Sequence, residues 1–283
     1  MQRWRSVLCD EYINGPLIGR LGHPRLVATG VNPHLVMDVG FGDGSDSAMF
    51  LRRGFHVVAV EADPKTIERA RARHPVIGLA LSHASHDTRD GLRGRLASLA
   101  IENVAIADGP GVLKFYSPEG QPDLASIHQS TCAGTRCREL SVPTDTCASL
   151  FTKYGTPLVL KIDIEGADKS CLRSLEKRRV LPPFIAIEDN NAIDILVSMG
   201  YVQFKLVSGR TISLCDRWID AGAQAPPFDS ARDVGNSLGG MPWECKNTVL
   251  GMGAASWATA NQTRAAKHFN HPGGGWDLYA WKP

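Results

Sequence analysis

A chain of 283 residues has room for one large domain, or for a domain with an elaborate tail, and for a sizeable core. With 43% hydrophobic and 21% charged residues it reads as an ordinary soluble globule, and a net charge of +2 gives no reason to expect nucleic acid or an acidic membrane as partner. No apolar run approaches the ~20 residues of a membrane span, and the N-terminus reaches Asp10-Glu11 too soon to supply a signal-peptide apolar region.

In chain order, an apolar strand over 34–39 meets a glycine turn, and a helix over 45–53 starts at Ser45 and Asp46. A second strand over 56–60 is followed by a helix over 64–73, with Pro64 at its first turn and arginines at its end. Residues 76–96 read as irregular. The segment 99–107 reads as a strand, with 112–116 as its hairpin partner across Asp108-Gly109-Pro110-Gly111. Then come strand 138–142, helix 147–154, strand 158–164, helix 168–177, strand 184–187, helix 192–199 closed by Gly200, and strand 201–207. Strands alternating with helices predict an α/β fold, a parallel sheet covered on both faces.

The division expected is a lead-in over 1–32, a nucleotide-binding domain over 33–219, and a Gly-, Pro- and Trp-bearing tail over 220–283 that can serve as a substrate lid. Seven cysteines (Cys9, Cys132, Cys137, Cys147, Cys171, Cys215 and Cys245) are odd in number and form no Cys-x-x-Cys. Cys132 and Cys137 are near enough for a local pair, but no disulfide framework is expected, which predicts a reducing, cytoplasmic setting.

The most informative segment is Asp38-Val39-Gly40-Phe41-Gly42-Asp43-Gly44-Ser45, followed at the end of the next strand by Glu61. A dinucleotide fingerprint wants Gly-x-Gly-x-x-Gly, and here the third glycine is displaced. Asp38, Asp43 and Asp46 surround a helix N-terminus that would otherwise attract a pyrophosphate through its free N–H groups and dipole. Carboxylates there oppose phosphate and suit a ligand with an ammonium, a sulfonium and no phosphate. S-adenosylmethionine is such a ligand, with Glu61 placed to accept hydrogen bonds from its ribose diol.

These residues, together with Val60-Glu61-Ala62-Asp63-Pro64 and above all Leu160-Lys161-Ile162-Asp163-Ile164-Glu165-Gly166-Ala167-Asp168, resemble the FkbM-type S-adenosylmethionine-dependent methyltransferases. The segment from Glu102 to Asp108 resembles that family's third-strand region, and Gly275-Trp276-Asp277-Leu278 faintly resembles its ending. The likeness spans about 35–207. It implies a Rossmann-like class I methyltransferase fold, a doubly wound, mostly parallel sheet, and O-methylation of sugars, polyketides and related small molecules. It also implies cofactor binding by Asp38, Gly40, Gly42, Asp43, Gly44 and Glu61, with Asn103 and Ala105 bordering the adenine.

Asp163 and Glu165 stand at the carboxyl end of the strand over 158–164, where such sheets bind ligands; if the strand continues, their i, i+2 spacing puts both on one face. Glu188-Asp189 ends the next strand similarly. Asp163, Glu165 and Glu188 are the candidate catalytic acids, either taking a proton from an acceptor hydroxyl or holding Mg²⁺ to lower its pKa. Asp189 reads as a cap, Lys161 as a solvated or ion-paired side chain, and Arg69–Arg73 as a helix face. His83, His86, His268 and His271 are secondary candidates as bases. Two other functions fit a nucleotide fold: an NAD-dependent oxidoreductase, and a non-catalytic nucleotide-binding regulatory protein. The acceptor expected is a small molecule or glycan.

Overall fold

A computed structural model describes residues 30–52, 55–83, 98–121, 124–208, 260–261 and 276–282. These fall into two units, one within Thr29–Pro182 and one within Pro183–Pro283.

In the first unit, β1 (Val31–Val39), β2 (His56–Val60), β3 (Leu99–Glu102) and β7 (Thr156–Ile162) form a parallel sheet in the order β3-β2-β1-β7. The chain leaves β1 toward β2 on one side, and β7 lies on the other, so the switch point of the winding is the crevice between β1 and β7. Register fixes what emerges there. Val39 is level with both Val60 and Ile162, so Gly40, Glu61 and Asp163 each leave the sheet one residue beyond the same line. Near-continuous apolar runs let β1 and β7 be central: Val36, Met37, Val39, Leu160 and Ile162 are fully buried.

Helix α1 (Ser45–Arg52) follows the glycine turn, and α2 (Pro64–Arg73) follows β2. Asp63 caps α2 by accepting the Lys65 N–H at 2.9 Å, Pro64 presets its first turn, and Thr66, Ile67 and Ala70 face inward. A third helix, α3 (Pro75–His83), occupies part of the stretch expected to be irregular. Pro75 starts it, and Ile77 and Ala80, three residues apart, are buried on one face.

The expected hairpin of 99–107 with 112–116 does not form. β3 stops at Glu102, because Asn103 turns its side-chain amide onto the carbonyls of Glu61 and Ala62. The chain then enters a separate three-stranded sheet in which β6 (Cys137–Asp145) lies between β4 (Ala105–Ile106) and β5 (Gly111–Pro118). Leu113 and Phe115 of β5 and Leu140 and Val142 of β6 pack on Ala62 and Ala105. Alternation leaves Val112 outward and 71% exposed.

Helix α4 (Cys147–Tyr154) begins at Thr146, whose hydroxyl accepts the Ser149 N–H, and ends at Gly155 with φ 92°. Helix α5 (Asp168–Leu175) follows β7. The two helices are joined by a disulfide between Cys147 and Cys171, both fully buried, and a second disulfide links Cys132 to Cys137. The local pair open to Cys132 and Cys137 forms, and the expectation of no disulfide framework is corrected by Cys147–Cys171. An odd total says nothing about pairs that tertiary packing brings together, and the cysteine argument for a reducing compartment falls with it.

In the second unit, β8 (Phe184–Ile187), a 3₁₀ turn (Asn190–Ala192), α6 (Ile193–Ser198) and β9 (Gln203–Ser208) are followed by β10 (Trp276–Trp281), which pairs antiparallel with both β8 and β9. The end of the tail is thus a sheet strand; the rest of the proposed lid lies outside the described residues, apart from 260–261. A parallel β3-β2-β1-β7 set wound both ways from β1, and a reversed last strand between β8 and β9, make the mostly parallel, Rossmann-like class I methyltransferase fold. Among the described residues no helix is long and apolar enough to cross a membrane.

Candidate active site

The three glycines of the turn do three different things. Gly40 has φ 90°, and a Cβ there would collide with the Asp163 carbonyl, so only glycine lets β1 end against the turn after β7. Gly44, with φ 80°, would push a Cβ to 2.7 Å from Ile77 and 2.9 Å from Ala70; its bareness seats α1 on α2 and α3. Gly42, with φ 54°, has nothing among the described residues within 4 Å of a would-be Cβ. Its backbone borders open space, as close approach of a ligand requires. The Gly40 and Phe41 N–H groups both donate to the Val60 carbonyl at 3.0 Å, which ties the turn to the end of β2.

Glu61 is the hinge of that contact. Its Oε2 accepts the Gly42 N–H at 3.2 Å and its Oε1 accepts the Asp63 N–H at 2.8 Å. Burial pushes its carboxyl up to about 7, against the lowering effect of those two N–H groups, and the nearby Asp63 charge adds to the rise. Asn103 acts on the same loop from below, through the carbonyls of Glu61 and Ala62, while Ala105 is buried in the small sheet's cluster.

The acids of the turn are more fully paired than a count along the sequence suggests. Asp43 accepts the Ser45 N–H at 2.9 Å and pairs with Arg73 at 2.6 Å. Lys161, the last residue but one of β7, reaches Asp38 at 3.4 Å, Asp46 at 3.2 Å and Asp163 at 3.4 Å, and donates to the Gly40 carbonyl at 3.2 Å. Burial alone would lower its pKa, but the carboxylates around it hold the ammonium charged, well above its ordinary range. Lys161 therefore stitches the glycine turn, α1 and the turn after β7 around one cation. Asp38 is fully buried, and burial raises its carboxyl despite Lys161; its Oδ2 accepts the Ser47 hydroxyl at 2.6 Å. Its Oδ1 makes no hydrogen bond, the Lys161 ammonium standing at ion-pair distance without alignment. The open space at Gly42, whose N–H meets the Glu61 carboxylate, fits close approach of S-adenosylmethionine.

The strand β7 ends at Ile162, two residues sooner than expected, so Asp163 and Glu165 do not share a strand face. Asp163 donates its N–H to Val39 and stays at the sheet edge. Glu165 has φ 47°, the one positive φ outside glycine among the described residues, and Gly166 follows at 100°. Three groups hold this turn. Asp168 accepts the Gly166 N–H at 3.2 Å and the Ile164 N–H at 3.4 Å, and the buried Ser126 hydroxyl donates to the Glu165 carbonyl at 2.7 Å. The His128 ring covers Gly166 so closely that a Cβ there would sit 2.9 Å from it. Glu188 follows β8 and belongs to the second unit, so the oxygen set expected for Mg²⁺ draws only Asp163 and Glu165 from the first, with Asp163 already facing Lys161. Asp189 is the cap expected, accepting the Asn191 N–H at 2.8 Å.

The methyltransferase FkbM domain matches residues 38–198, from the first acid of the glycine turn to the end of α6. The chain belongs to the FkbM methyltransferase family. It is similar at 14% identity to the methyltransferase domain of bacterial CtHen1-C, covering 68% of this chain and 88% of that one with a TM-score of 0.30. It is also similar, again at 14%, to a putative sarcosine dimethylglycine methyltransferase from Galdieria sulphuraria, covering 99% and 98% with a TM-score of 0.31. None of the curated proteins matches it.

In this FkbM-family chain the structure brings Asp38, Gly40, Gly42, Asp43, Gly44, Glu61 and Asp163 to one edge of one sheet, with Asn103 behind the loop. Lys161, read as a solvated or ion-paired side chain, is ion-paired and is the common partner of three acids; Ser126 with His128 over the Glu165–Gly166 turn, and Arg138 beneath Asp63, escaped the sequence reading. Lys161 carried a signal, a lone cation inside an apolar strand. The other two come from the small sheet and its loops, whose pairing no local pattern announced. Of the histidines singled out, His86, His268 and His271 lie outside the described residues, as does the side chain of His83.

Proposed function

We propose that the protein transfers the methyl group of S-adenosylmethionine to a hydroxyl of a small molecule or sugar. The observation that carries this reading is the backbone contact of Gly40 with Asp163, which sets the acids of the β7 turn directly beside the cofactor turn. When bound, S-adenosylmethionine supplies an electrophilic methyl carbon on a sulfonium. The chain's residues do the rest. Glu61 receives the ribose hydroxyls, bare Gly42 admits the cofactor against the backbone, and Asp38, paired with Lys161, holds the turn from beneath.

Transfer is an in-line displacement in which the bond from carbon to the acceptor oxygen forms as the bond from carbon to sulfur breaks. The acceptor proton passes to a carboxylate of the Asp163–Glu165 turn, a role worth roughly 10²–10⁴-fold. Alignment contributes several kcal/mol more, and rigid support of the turn by Asp168, Ser126 and His128 serves that end.

The test is transfer of isotope-labelled methyl to a panel of sugars and small hydroxylated and amine-bearing acceptors. Labelled ethers are expected, with Glu165→Gln or Asp163→Asn lowering kcat at least 100-fold while S-adenosylhomocysteine still binds. Labelled amines alone, or full turnover in both variants, would refute the hydroxyl chemistry.

A further inference from the structure

We infer that Arg138 is a positioning residue for cofactor binding: acting through Asp63, it holds the Glu61 carboxylate in the form that receives the ribose. This rests on the reading of Glu61 as the ribose acid.

The contacts form a single line across two sheets. Arg138 Nη2, at the start of β6, pairs with Asp63 Oδ2, and the Ser117 hydroxyl of β5 donates to the same oxygen at 2.9 Å. The other oxygen of Asp63 caps α2 through the Lys65 N–H, and the Asp63 N–H donates to Glu61 Oε1 at 2.8 Å. Asp63 has no exposed surface, whereas the Arg138 side chain is 27% exposed. A buried carboxylate two residues from the ribose acid is therefore neutralised by one cation, delivered from a sheet that is no part of the nucleotide fold. Removing that cation would strand a buried charge. The position of Arg138 is itself fixed, since it follows Cys137, whose disulfide to Cys132 closes the turn into β6.

The charged groups around Glu61 can be named from each side. Asp63 is on its own loop, with Arg138 behind it. Glu102, whose carbonyl accepts the Glu61 N–H, has its carboxylate engaged by Lys153 and Tyr154. Among the described residues the glycine turn meets Glu61 through the Gly42 N–H. Asp63 is thus the neighbouring charge that favours a proton on Glu61, and Arg138 is its counter-ion. Without Arg138 the full Asp63 charge acts on Glu61 and holds it protonated to higher pH.

The experiment is calorimetric titration of the full chain with S-adenosylhomocysteine at pH 7 and pH 9. Arg138→Met should weaken binding on the order of tenfold at pH 7, one unit of displaced titration, and recover at pH 9. Arg138→Lys should restore most of the loss. Asp63→Asn, which removes the charge but keeps an acceptor for the α2 cap, should move the other way and strengthen binding below pH 7 relative to wild type; it also serves if Arg138→Met does not fold. Equal weakening at both pH values, unchanged affinity in Arg138→Met, or unchanged pH dependence in Asp63→Asn would overturn the inference. Absence of binding by the wild-type protein at every pH would instead sink the cofactor reading.

Discussion

The Cys147–Cys171 disulfide gives the fold a measurable signature. It joins the first residue of α4 to the buried face of α5 across 24 residues of sequence. Closing a loop of that length removes unfolded-chain entropy worth about 3 kcal/mol at 25 °C. A domain of this size loses about 2–4 °C of Tm per kcal/mol, so the paired variant Cys147→Ala, Cys171→Ala should melt roughly 6–12 °C below wild type. Circular dichroism melts of the two proteins without reductant check the figure. Alkylation in guanidinium without reductant, followed by peptide mass analysis, checks the bond, and the peptides carrying Cys147 and Cys171 should appear linked and unmodified. Alkylation of both thiols, or a double variant melting at the wild-type temperature, would refute the reasoning.

Cofactor affinity should follow the Glu61 carboxyl. It is raised to about 7, so it is protonated below that pH and cannot accept two ribose hydroxyls; S-adenosylhomocysteine binding should weaken about tenfold from pH 8 to pH 6, and calorimetry should show Glu61→Gln weak and flat across that range. The same shift bears on stability with a definite sign. A carboxyl raised in the fold stabilises fully below its unfolded value of 4.5, and that contribution is lost as pH rises through about 7; urea titrations of Glu61→Gln should therefore gain on wild type as pH rises from 5 to 8. Gly40→Ala should fail to give soluble folded protein or lose several kcal/mol in urea unfolding, because its Cβ meets backbone rather than a movable side chain. Lys161→Met should cost about 3–5 kcal/mol in the same assay by leaving a buried acid unpaired.

What could be read from the sequence was what repeats locally. Apolar runs and caps located β1, β2, β7 and β8 and helices α1, α2, α4 and α6 to within a few residues, and the glycines with Glu61 marked the switch point. The acids were visible and Lys161 was readable as ion-paired, but which acids it joins was not. Asp38, Asp43 and Asp46 read as an unbalanced negative ring, whereas Lys161 and Arg73, more than 25 residues away from them, pair with all three. The turn after β7 was misplaced by two residues because Glu165 adopts a left-handed backbone that Asp168 and Ser126 stabilise. The small sheet was missed as a unit. Its central strand β6 is later in the chain than both neighbours, and pairing of that kind leaves no trace at hairpin spacing.

The central claim, that the turn around Gly42 holds S-adenosylmethionine, is tested most directly by calorimetry with S-adenosylhomocysteine on wild type and Gly42→Asn at pH 8. Asn tolerates the left-handed backbone at Gly42, and its Cβ enters space that no atom of the described residues fills. The account predicts one-site binding by wild type and at least a tenfold loss in a variant that melts like wild type. Absence of wild-type binding, or equal affinity in the two proteins, would contradict it.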